Sequence, residues 1–395
     1  MKTFLIKIGK AINALQQEGL VRGGKRVVKS FFEQFERVRP GDILFVTPGV
    51  GDSARYRARN QAEELELHGF RCSVTIQDNP FLPRYAKKFK IFIFHRPIYT
   101  KKIAKLFERA KKLGKEIIFE TDDLVFDTKY IQETQHYKKM NALERKQYER
   151  GVGEEILKDP YVKTCVTTTS YLAKILKGYG KKVFVSKNKL SLKDLELAEN
   201  LFRSRLKPIR DETSTVRIGY FAGTKGHDKN FATIEDTLIK ILEKYQNVEL
   251  VLAGPLNISE KFDKFQSRIK KLPFALRKEH FRNINDIDIN IIPLEKDNPF
   301  CEAKSELKFF EAGILGVPSV SINNQTYRET IDDGENGFLA GNENEWLEKL
   351  ERLILDKNLR ENMGKKAREK SLRENTTIHS HNLKYCNYLR HIINK

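Results

Sequence analysis

The residues best suited to chemistry include a glycine-rich segment in the second half of the chain. Residues 219–229, with the sequence GYFAGTKGHDK, contain Gly223, Thr224, Lys225 and Lys229 between a predicted strand and a predicted helix. Glycines let backbone N–H groups approach a phosphate closely, while a helix N-terminus and lysines add positive potential. The segment therefore suggests a phosphate-binding turn, although it is not a Walker A motif and an ordinary loop with solvent-facing lysines is the alternative.

A second group of charged residues lies in the segment 298–313. Lys304, Lys308 and Glu311 are three or four residues apart, so a helix would place two cations and a carboxylate on one face. Lys304 and Ser305 lie near the expected start of that helix, where an anion is stabilised. The Glu311 carboxylate could accept hydrogen bonds from ribose hydroxyls. A salt-bridge ladder on a helix surface is the alternative interpretation.

Two adjacent carboxylates, Asp122 and Asp123, follow a predicted strand in the first half of the chain. Adjacent carboxylates can hold Mg²⁺ beside a diphosphate, whereas a carboxylate at the start of a turn commonly caps it. His95 and His227 also lie near predicted strand ends. Most isolated histidines have structural roles, and only His227 belongs to the glycine-rich segment, which favours it as a site residue.

Alternating strands and helices must position these residues. Short apolar runs bounded by turns and helices are typical of parallel strands that are buried on both faces. The predicted strands are Ile43–Val46, Cys72–Ile76, Ile91–Phe94, Glu116–Phe119, Thr164–Thr167, Lys182–Val185, Arg217–Phe221, Val248–Ala253, Asp288–Ile292 and Ser319–Ile322. Helices are predicted between most of them, including 54–68, 230–245, 261–271 and 305–312. The fold class is therefore α/β, with two Rossmann-like doubly wound parallel sheets that we expect to face each other across a cleft.

The length of 395 residues and the two separate strand series indicate two domains. Residues 1–40 are predicted to form basic amphipathic helices, which could lie on an anionic membrane or pack on the following domain. A first Rossmann-like domain (41–190), a linker (191–214) and a second Rossmann-like domain (215–375) follow. Residues 376–395 are expected to form a helix that packs back on the first domain.

The composition gives a formal net charge of +20. This charge suggests an acidic partner, which could be nucleic acid, anionic lipid headgroups or a small phosphorylated substrate. No apolar run is long enough to span a bilayer, and the N-terminus lacks the apolar core of a secretory signal, so we expect a cytoplasmic location. The four cysteines lie far apart and show neither zinc-finger nor disulfide-framework spacing.

Residues 219–370 resemble the donor-binding domain of family 4 glycosyltransferases, which are retaining enzymes of the GT-B fold that use nucleotide sugars. The most specific part of the resemblance is KSELKFFEAGILGVP at 304–318, and the turn DDGENGFL at 332–339 is similar to the one that follows it in the family. In the first half, ETDDL at 120–124 matches the acceptor-side domain more loosely. The resemblance thus implies that the first Rossmann-like domain is the acceptor side and the second binds the donor.

The resemblance also implies roles for individual residues. Glu311 matches the glutamate that binds the nucleotide ribose, and Lys229 matches the lysine that neutralises the donor diphosphate. Asp122 stands where many relatives have a histidine that lines the sugar site. Two positions depart from the family, because Thr224 replaces a frequent arginine and Ala303 replaces a glutamate near the transferred sugar.

Because of Ala303, positive charge near the leaving group is expected from the Lys-Ser-x-x-Lys pattern. The catalytic candidates are Lys229, Lys304, Lys308 and Asp122, and the donor-binding candidates are Gly223, Thr224, Lys225, Lys229, Lys304, Ser305, Lys308 and Glu311. The resemblance implies no metal or other cofactor, because the fold stabilises leaving-group charge with cations and helix dipoles.

These expectations combine into a retaining glycosyltransferase of the hexosyl- or deoxyhexosyltransferase class. It would move a sugar from a nucleoside diphosphate sugar to a glycan or lipid-linked acceptor, in bacterial surface polysaccharide or glycoconjugate assembly at the inner face of the plasma membrane. A nucleotide-sugar epimerase and a catalytically weak GT-B partner subunit are alternatives that Ala303 leaves open. The alternative outside this class is a basic nucleic-acid-binding protein, although the sequence has no RNP aromatic motif, zinc finger or base-reading helix.

Overall fold

The computed structural model describes residues 34–131, 152–205, 215–223 and 227–395, together with positions 24, 28, 32 and 137. The chain divides into two compact units, one formed by Met1–Lys189 with His381–Lys395 and the other by Leu190–Ser380. Each unit contains one six-stranded parallel sheet, which confirms the predicted α/β fold class. The amphipathic helices predicted at 1–40 lie almost entirely outside the described residues.

The sheet of the first unit has the strand order β2-β1-β3-β4-β5-β6. Its strands are β1 Ile43–Thr47, β2 Cys72–Ile76, β3 Ile91–His95, β4 Glu116–Thr121, β5 Thr164–Thr167 and β6 Lys182–Val185. The central strands β1 and β3 are apolar up to their last residue and fully buried, as parallel strands covered on both faces must be. The strand order reverses between β1 and β3, so ligands are expected at the carboxyl ends of these two strands.

Helices cover both faces of this first sheet. The segment after β1 runs from α1 Asp52–Ala54 through a π-helical turn at Arg55–Arg59 into α2 Asn60–Leu67. Among the described residues before 190, the other helices are α3 Lys101–Lys112, α4 Thr128–Ile131, α5 Glu154–Lys158 and α6 Ser170–Lys177, with 3₁₀ turns at Leu82–Lys87 and Leu124–Phe126. In α3, buried apolar residues recur at helical spacing from Ile103 to Ala110, and the Thr100 side chain caps the first turn.

The sheet of the second unit has the order β12-β11-β10-β7-β8-β9. Its strands are β7 Val216–Phe221, β8 Val248–Ala253, β9 Ile269–Leu272, β10 Ile289–Ile292, β11 Ser319–Ile322 and β12 Phe338–Ala340. Numbered from β7, this is the 3-2-1-4-5-6 order of dinucleotide-binding folds. The order reverses between β7 and β10, so the carboxyl ends of these strands are the expected ligand-binding position in this unit.

The helices of the second unit are α7 Leu192–Arg205, α8 Asp228–Ala232, α9 Glu235–Lys244, α10 Arg277–Asn285, α11 Pro299–Glu302, α12 Leu307–Gly313, α13 Gln325–Arg328, α14 Glu343–Leu355 and α15 Lys357–Glu374. The last helix of the chain, α16 Leu383–Asn394, belongs to the first unit, where Tyr385, Cys386 and Leu389 are buried in the same apolar cluster as Ile43 and Ile91. No helix among the described residues is long and apolar enough to cross a membrane.

All the predicted strands are present, with ends that differ by two residues or fewer, whereas β9 and β12 are not predicted. The helix predicted at 261–271 is wrong, because the chain forms a 3₁₀ segment at Glu260–Arg268 and then pairs as edge strand β9 with β8. The predicted linker at 191–214 contains α7, which is anchored within the second unit through Asp194 and Glu199. The predicted helix at 230–245 is divided between α8 and α9.

One helix boundary changes the expected site. The helix predicted at 305–312 begins at Leu307, so Lys304 and Ser305 precede it. The expectation that Lys304, Lys308 and Glu311 share one helix face is therefore wrong for Lys304. Only Lys308 and Glu311, one turn apart, belong to α12.

Candidate active site

The position where the strand order of the second sheet reverses is covered by α12. Tyr220, near the carboxyl end of β7, has its ring centre 4.3 Å from Lys308 Nζ. Asn290 of β10 donates from its side-chain amide to Lys308 O over 3.2 Å. Contacts with both central strands thus fix Lys308 at the place where doubly wound sheets bind ligands.

The Lys308 ammonium lies in an environment that disfavours its charge. Burial lowers the pKa of Lys308 to about 7, and the positive charge of Lys304 acts in the same direction. The attraction of Glu311 opposes this shift without cancelling it. Within the described part of the chain Lys308 forms no salt bridge, and it contacts the Tyr220 ring instead. A buried cation without a carboxylate partner is costly, so this arrangement favours an anionic ligand.

The His227 ring closes the glycine-rich turn after β7. Gly223 N–H donates to His227 Nδ1 over 3.1 Å, so the ring carries its proton on Nε2. Burial, together with the positive charges of Lys308 and Lys304, lowers the pKa of His227 to about 3. The ring is therefore neutral at physiological pH. The ring thus occupies the Gly223 N–H group, which the sequence suggests as a hydrogen-bond donor to phosphate.

The Glu311 carboxylate is held by two residues of α10. Arg277 Nη1 donates to Glu311 Oε1, and His280 Nε2 lies 3.2 Å from Glu311 Oε2. Arg277 also donates from Nε to Asp194 Oδ1 over 2.9 Å. The side chain of Glu311 is 5% exposed, so it is nearly closed off by these neighbours. Glu311 is thus a buried, oriented carboxylate one helical turn from Lys308.

The remaining donor-binding candidates of the second unit are placed differently from one another. Thr224 and Lys225 are outside the described residues. Lys229 lies on α8 with an exposed side chain. Ser305 is half-buried in the segment before α12, as is Lys304, whose charge acts on both Lys308 and His227. The structure therefore brings His227, Lys304, Lys308 and Glu311 into one electrostatic group.

A second polar group lies in the first unit at the carboxyl ends of β1, β3 and β4. Ser53 Oγ is 2.8 Å from His95 Nε2 and 2.9 Å from Asp122 Oδ2. Arg96 Nη2 donates to Ser53 Oγ over 2.8 Å, and Arg96 Nε is 2.9 Å from Asp122 Oδ1. His95 Nδ1 in turn contacts the Glu120 carboxylate. Asp122 thus belongs to a hydrogen-bonded network at the position where strand order reverses.

The hydrogen bonds of this network determine where its protons lie. Asp122 can only accept and Arg96 can only donate, so the Ser53 O–H points to Asp122 and one Ser53 lone pair accepts from Arg96. His95 Nε2 lies against the remaining side of the Ser53 hydroxyl, and Nδ1 contacts the Glu120 carboxylate. The Ser53 hydroxyl is thus held by three neighbouring side chains.

Opposing effects act on the charge of Asp122. Burial raises the pKa of Asp122, but the charges of Arg96, His95 and Arg57 and the hydrogen bond from Ser53 outweigh this effect and hold the pKa well below its usual range. Asp122 therefore stays ionised and accepts hydrogen bonds. It is too weak a base to remove a proton from a hydroxyl efficiently.

A fully buried ion pair between Arg57 and Glu120 contacts this network through His95. Arg57 Nε donates to Glu120 Oε1 over 2.6 Å, and neither side chain is exposed. Arg57 Nη1 also donates to Ser186 O over 2.8 Å and to Asn188 Oδ1 over 3.0 Å. Arg57 reaches these partners from the π-helical turn, a distortion that often occurs at functional sites.

Two further features of the first unit concern Arg96 and Asp123. Arg96 has φ = 31°, in the left-handed region that a residue with a side chain rarely occupies. Asp123 Oδ1 accepts from Leu124 N–H over 2.8 Å, which agrees with the capping interpretation of this carboxylate. Across the ranges that the structure describes, no cluster of three or more His, Cys, Asp or Glu side chains could hold a metal ion.

Sequence reasoning missed most partners of the candidate residues. The predicted candidates do not include Ser53, Arg57, Arg96, Glu120, Arg277 and His280, although Glu120 lies in the matched segment at 120–124. A structural role is expected for His95. A signal is present for Arg57, which interrupts an apolar helix face, and for His95 and Arg96, which lie at the end of a buried strand. Arg277 and His280 follow an edge strand that was not predicted, so nothing placed them at the site.

The family context comes from comparison with known proteins. The family model of glycosyl transferases group 1 matches residues 203–370, which include the whole electrostatic group of the second unit. No curated protein sequence matches the chain.

Several solved structures share this fold. A glycosyltransferase from Rickettsia africae ESF-5 has a TM-score of 0.59 at 14% identity, covering 90% of this chain and 99% of that one. HepE from Anabaena, solved in complex with UDP and glucose, has a TM-score of 0.58 at 13% identity, with 89% and 99% covered. Sucrose-phosphate synthase from Thermosynechococcus elongatus has a TM-score of 0.57 at 12% identity, with 89% and 99% covered. At these identities the likeness concerns the fold.

Proposed function

We propose that this glycosyltransferase of the GT-B fold, whose residues 203–370 form a glycosyl transferases group 1 domain, transfers a sugar from a nucleoside diphosphate donor with retention at the anomeric carbon. The second unit binds the donor. The acceptor is a hydroxyl group of a glycan or a lipid-linked glycan. The proposal includes a role in bacterial surface polysaccharide or glycoconjugate assembly at a membrane surface, because an anionic membrane would attract the basic N-terminal segment.

The observation that carries this proposal is the environment of Lys308. Its ammonium is held by both central strands at the ligand-binding position of the sheet, beside Lys304 and without a salt bridge among the described residues. A diphosphate placed there supplies the missing negative charge. Lys229 at the glycine-rich turn would contribute further positive charge from α8.

Glu311 would bind the ribose of the donor. A buried carboxylate with a fixed orientation is a strong hydrogen-bond acceptor for a pair of hydroxyl groups. Glu311 lies one helical turn from Lys308. In a nucleotide sugar the ribose is joined directly to the diphosphate, so these two parts of the donor are also close neighbours. The pair on α12 can therefore meet both parts of the same donor.

The leaving diphosphate gains negative charge as the bond to the sugar breaks. Lys304 and Lys308 would stabilise this charge electrostatically, which is the main contribution of such sites to catalysis. Retention follows if the acceptor attacks from the face of the departing phosphate and gives its proton to a phosphate oxygen. This route needs no strong protein base, and the low pKa of Asp122 supports it. Asp122 would orient a sugar or acceptor hydroxyl by accepting its hydrogen bond, and no metal or cofactor is part of the proposal.

Calorimetric titration with a panel of nucleotide sugars tests the proposal. UDP-sugars come first, because HepE of similar fold was solved with UDP and glucose. We expect one donor to bind and Glu311→Ala to weaken it by about tenfold or more, as loss of a charged hydrogen bond does. Unchanged affinity in this variant would overturn the assignment of Glu311. Product analysis by NMR with donor alone and with donor plus acceptor separates transfer from epimerisation.

A further inference from the structure

One carboxylate of the second unit receives hydrogen bonds from two side chains of a single helix. Arg277 and His280, one turn apart at the start of α10, bind different oxygens of Glu311. A carboxylate accepts hydrogen bonds in its plane, so a donor on each oxygen orients the group. These two donors therefore fix the rotation of the Glu311 carboxylate about its last side-chain bond.

Arg277 and His280 are themselves held in place. Arg277 is anchored on its other side by Asp194 of α7, and its guanidinium lies 4.1 Å from the centre of the Phe281 ring. The His280 ring contacts Phe221, the last residue of β7, edge to face at 5.4 Å. Helix α10 is thereby tied to the carboxyl end of a central strand. The orientation of Glu311 is thus set by the sheet and by α7, rather than by α12 alone.

The same contacts keep Glu311 from neutralising Lys308. Residues three apart on a helix can pair, and a carboxylate with no other partner would turn toward a nearby buried ammonium. Glu311 instead forms its ion pair with Arg277, and Lys308 contacts the Tyr220 ring. Glu311 and Lys308 therefore have separate partners and do not form an ion pair with each other.

We propose that Arg277 and His280 are positioning residues that orient Glu311 toward the ribose hydroxyls of the donor and keep it from pairing with Lys308. The inference rests on the proposed function, because it assumes that Glu311 binds the ribose. It adds that recognition of the ribose 2′-hydroxyl depends on two residues of a different helix.

The test compares ribose with 2′-deoxyribose. Calorimetry measures the Kd of whichever of UDP, GDP and ADP binds best, and of its 2′-deoxy counterpart, for the full-length protein. The wild type is expected to prefer the ribose form by about tenfold or more, and Glu311→Gln should abolish that preference. Arg277→Lys and His280→Gln are expected to reduce the preference to less than about threefold, since neither holds the carboxylate as before. Arg282→Lys, an exposed position on the same helix, serves as the matched control and should keep the full preference.

A merely structural role predicts a different result. If Arg277→Lys and His280→Gln weaken both nucleotides by the same factor, or leave both unchanged, the preference is retained and the inference is overturned. Lys308→Met should behave in that way, because it acts on the diphosphate that both nucleotides share. Failure of the proposed function is recognised separately, in proteins that keep Arg277 and His280: either the wild type shows no preference for the ribose form, or Glu311→Gln retains the preference. Both of these results also overturn the inference.

Discussion

Lys308 is a residue whose charge the folded chain disfavours. Burial and Lys304 lower its pKa to about 7, and no salt bridge within the described ranges compensates. A residue held in this way is better suited to binding an anion than to stabilising the fold. Affinity and stability should therefore respond differently when the charge is removed.

We expect Lys308→Met to weaken binding of a nucleotide sugar by about 10- to 100-fold, because a buried charge-assisted contact is lost. The free energy of unfolding should stay the same or rise by about 1 kcal/mol, because the variant no longer buries an ammonium. Calorimetry and thermal unfolding measure the two effects. Lys270→Met, at an exposed position of β9, is the control that should change neither. A large loss of stability without loss of affinity would contradict this role.

The lowered pKa of Lys308 also makes donor binding depend on pH. A nucleotide sugar has no ionisation of its own near neutrality, and its diphosphate favours the charged lysine. Affinity should therefore be highest below pH 7 and fall by up to about tenfold per unit above it, with uptake of one proton on binding. Titrations in two buffers of different ionisation enthalpy measure that uptake. A flat profile in the wild type, or the same slope in Lys308→Met, would be inconsistent with the assignment.

At the scale of single residues, the sequence identifies candidate site residues more readily than the side chains that contact them. Lys308 and Glu311 were recognisable because their spacing lies within one short segment. Arg277 and His280, which determine the orientation of Glu311, lie more than 30 residues earlier, and only the fold brings them close. The network around Asp122 is similar, since Ser53 is 69 residues away in sequence.

The π-helical turn at Arg55–Arg59 is an element whose role depends on one ion pair. It carries Arg57 to the buried Glu120 carboxylate, which in turn contacts His95. Removing one member of a buried pair leaves the other charge uncompensated. Loss of either member of this pair should therefore lower the free energy of unfolding, whether or not it changes the reaction.

We expect Glu120→Gln to lower the free energy of unfolding by about 3–5 kcal/mol, because Arg57 then remains charged and buried. The double variant Arg57→Met with Glu120→Gln should recover part of this loss. Denaturant unfolding of Glu120→Gln, Arg57→Met and the double variant measures the coupling between the residues. Lys261→Met, which breaks an exposed pair with Asp236, is the control and should have a much smaller effect. Additive losses at Arg57 and Glu120 would show that the pair is not coupled.

The pattern of apolar residues predicts the buried strands and misses strands that are short or partly exposed. The central strands were predicted because they are continuous apolar runs. Edge strand β9 contains Lys270 and Lys271, and half of its side chains face solvent, so its sequence pattern predicts a helix instead. The short strand β12 has only three residues, too few for a pattern.

At the scale of the whole molecule, the chain contains two sheets whose cores are separate in sequence except at the C-terminus. Helix α16 lies at residues 383–394 yet contributes Leu389 to the core of the first unit. A change in this helix should therefore affect a sheet formed by the first half of the chain.

We expect Leu389→Ala to destabilise the first unit by about 2–4 kcal/mol, through the loss of buried apolar surface and the cavity that remains. Hydrogen exchange should become faster in β1 and β3, while β7 and β10 keep their protection. Leu383→Ala, at a position of the same helix that is 62% exposed, is the matched control. Equal loss of protection in both sheets would show that the two units unfold as one.

The two sheets and the order of most elements could be anticipated from sequence, because buried parallel strands have a strong signal. The resemblance carried by residues 304–318 also predicts that the second unit binds the donor, and the family model matches residues 203–370 of this unit. What sequence could not supply is the side-chain network at the end of each sheet. Such networks depend on which strands lie side by side at the reversal of strand order.

A crystal structure of the protein with a bound nucleotide sugar tests the central claim most directly. We expect the diphosphate within hydrogen-bonding distance of Lys308 Nζ and the ribose hydroxyls on the Glu311 carboxylate, at the carboxyl ends of β7 and β10. A nucleoside bound elsewhere, with Lys308 Nζ still on the Tyr220 ring and not on the diphosphate, would contradict it.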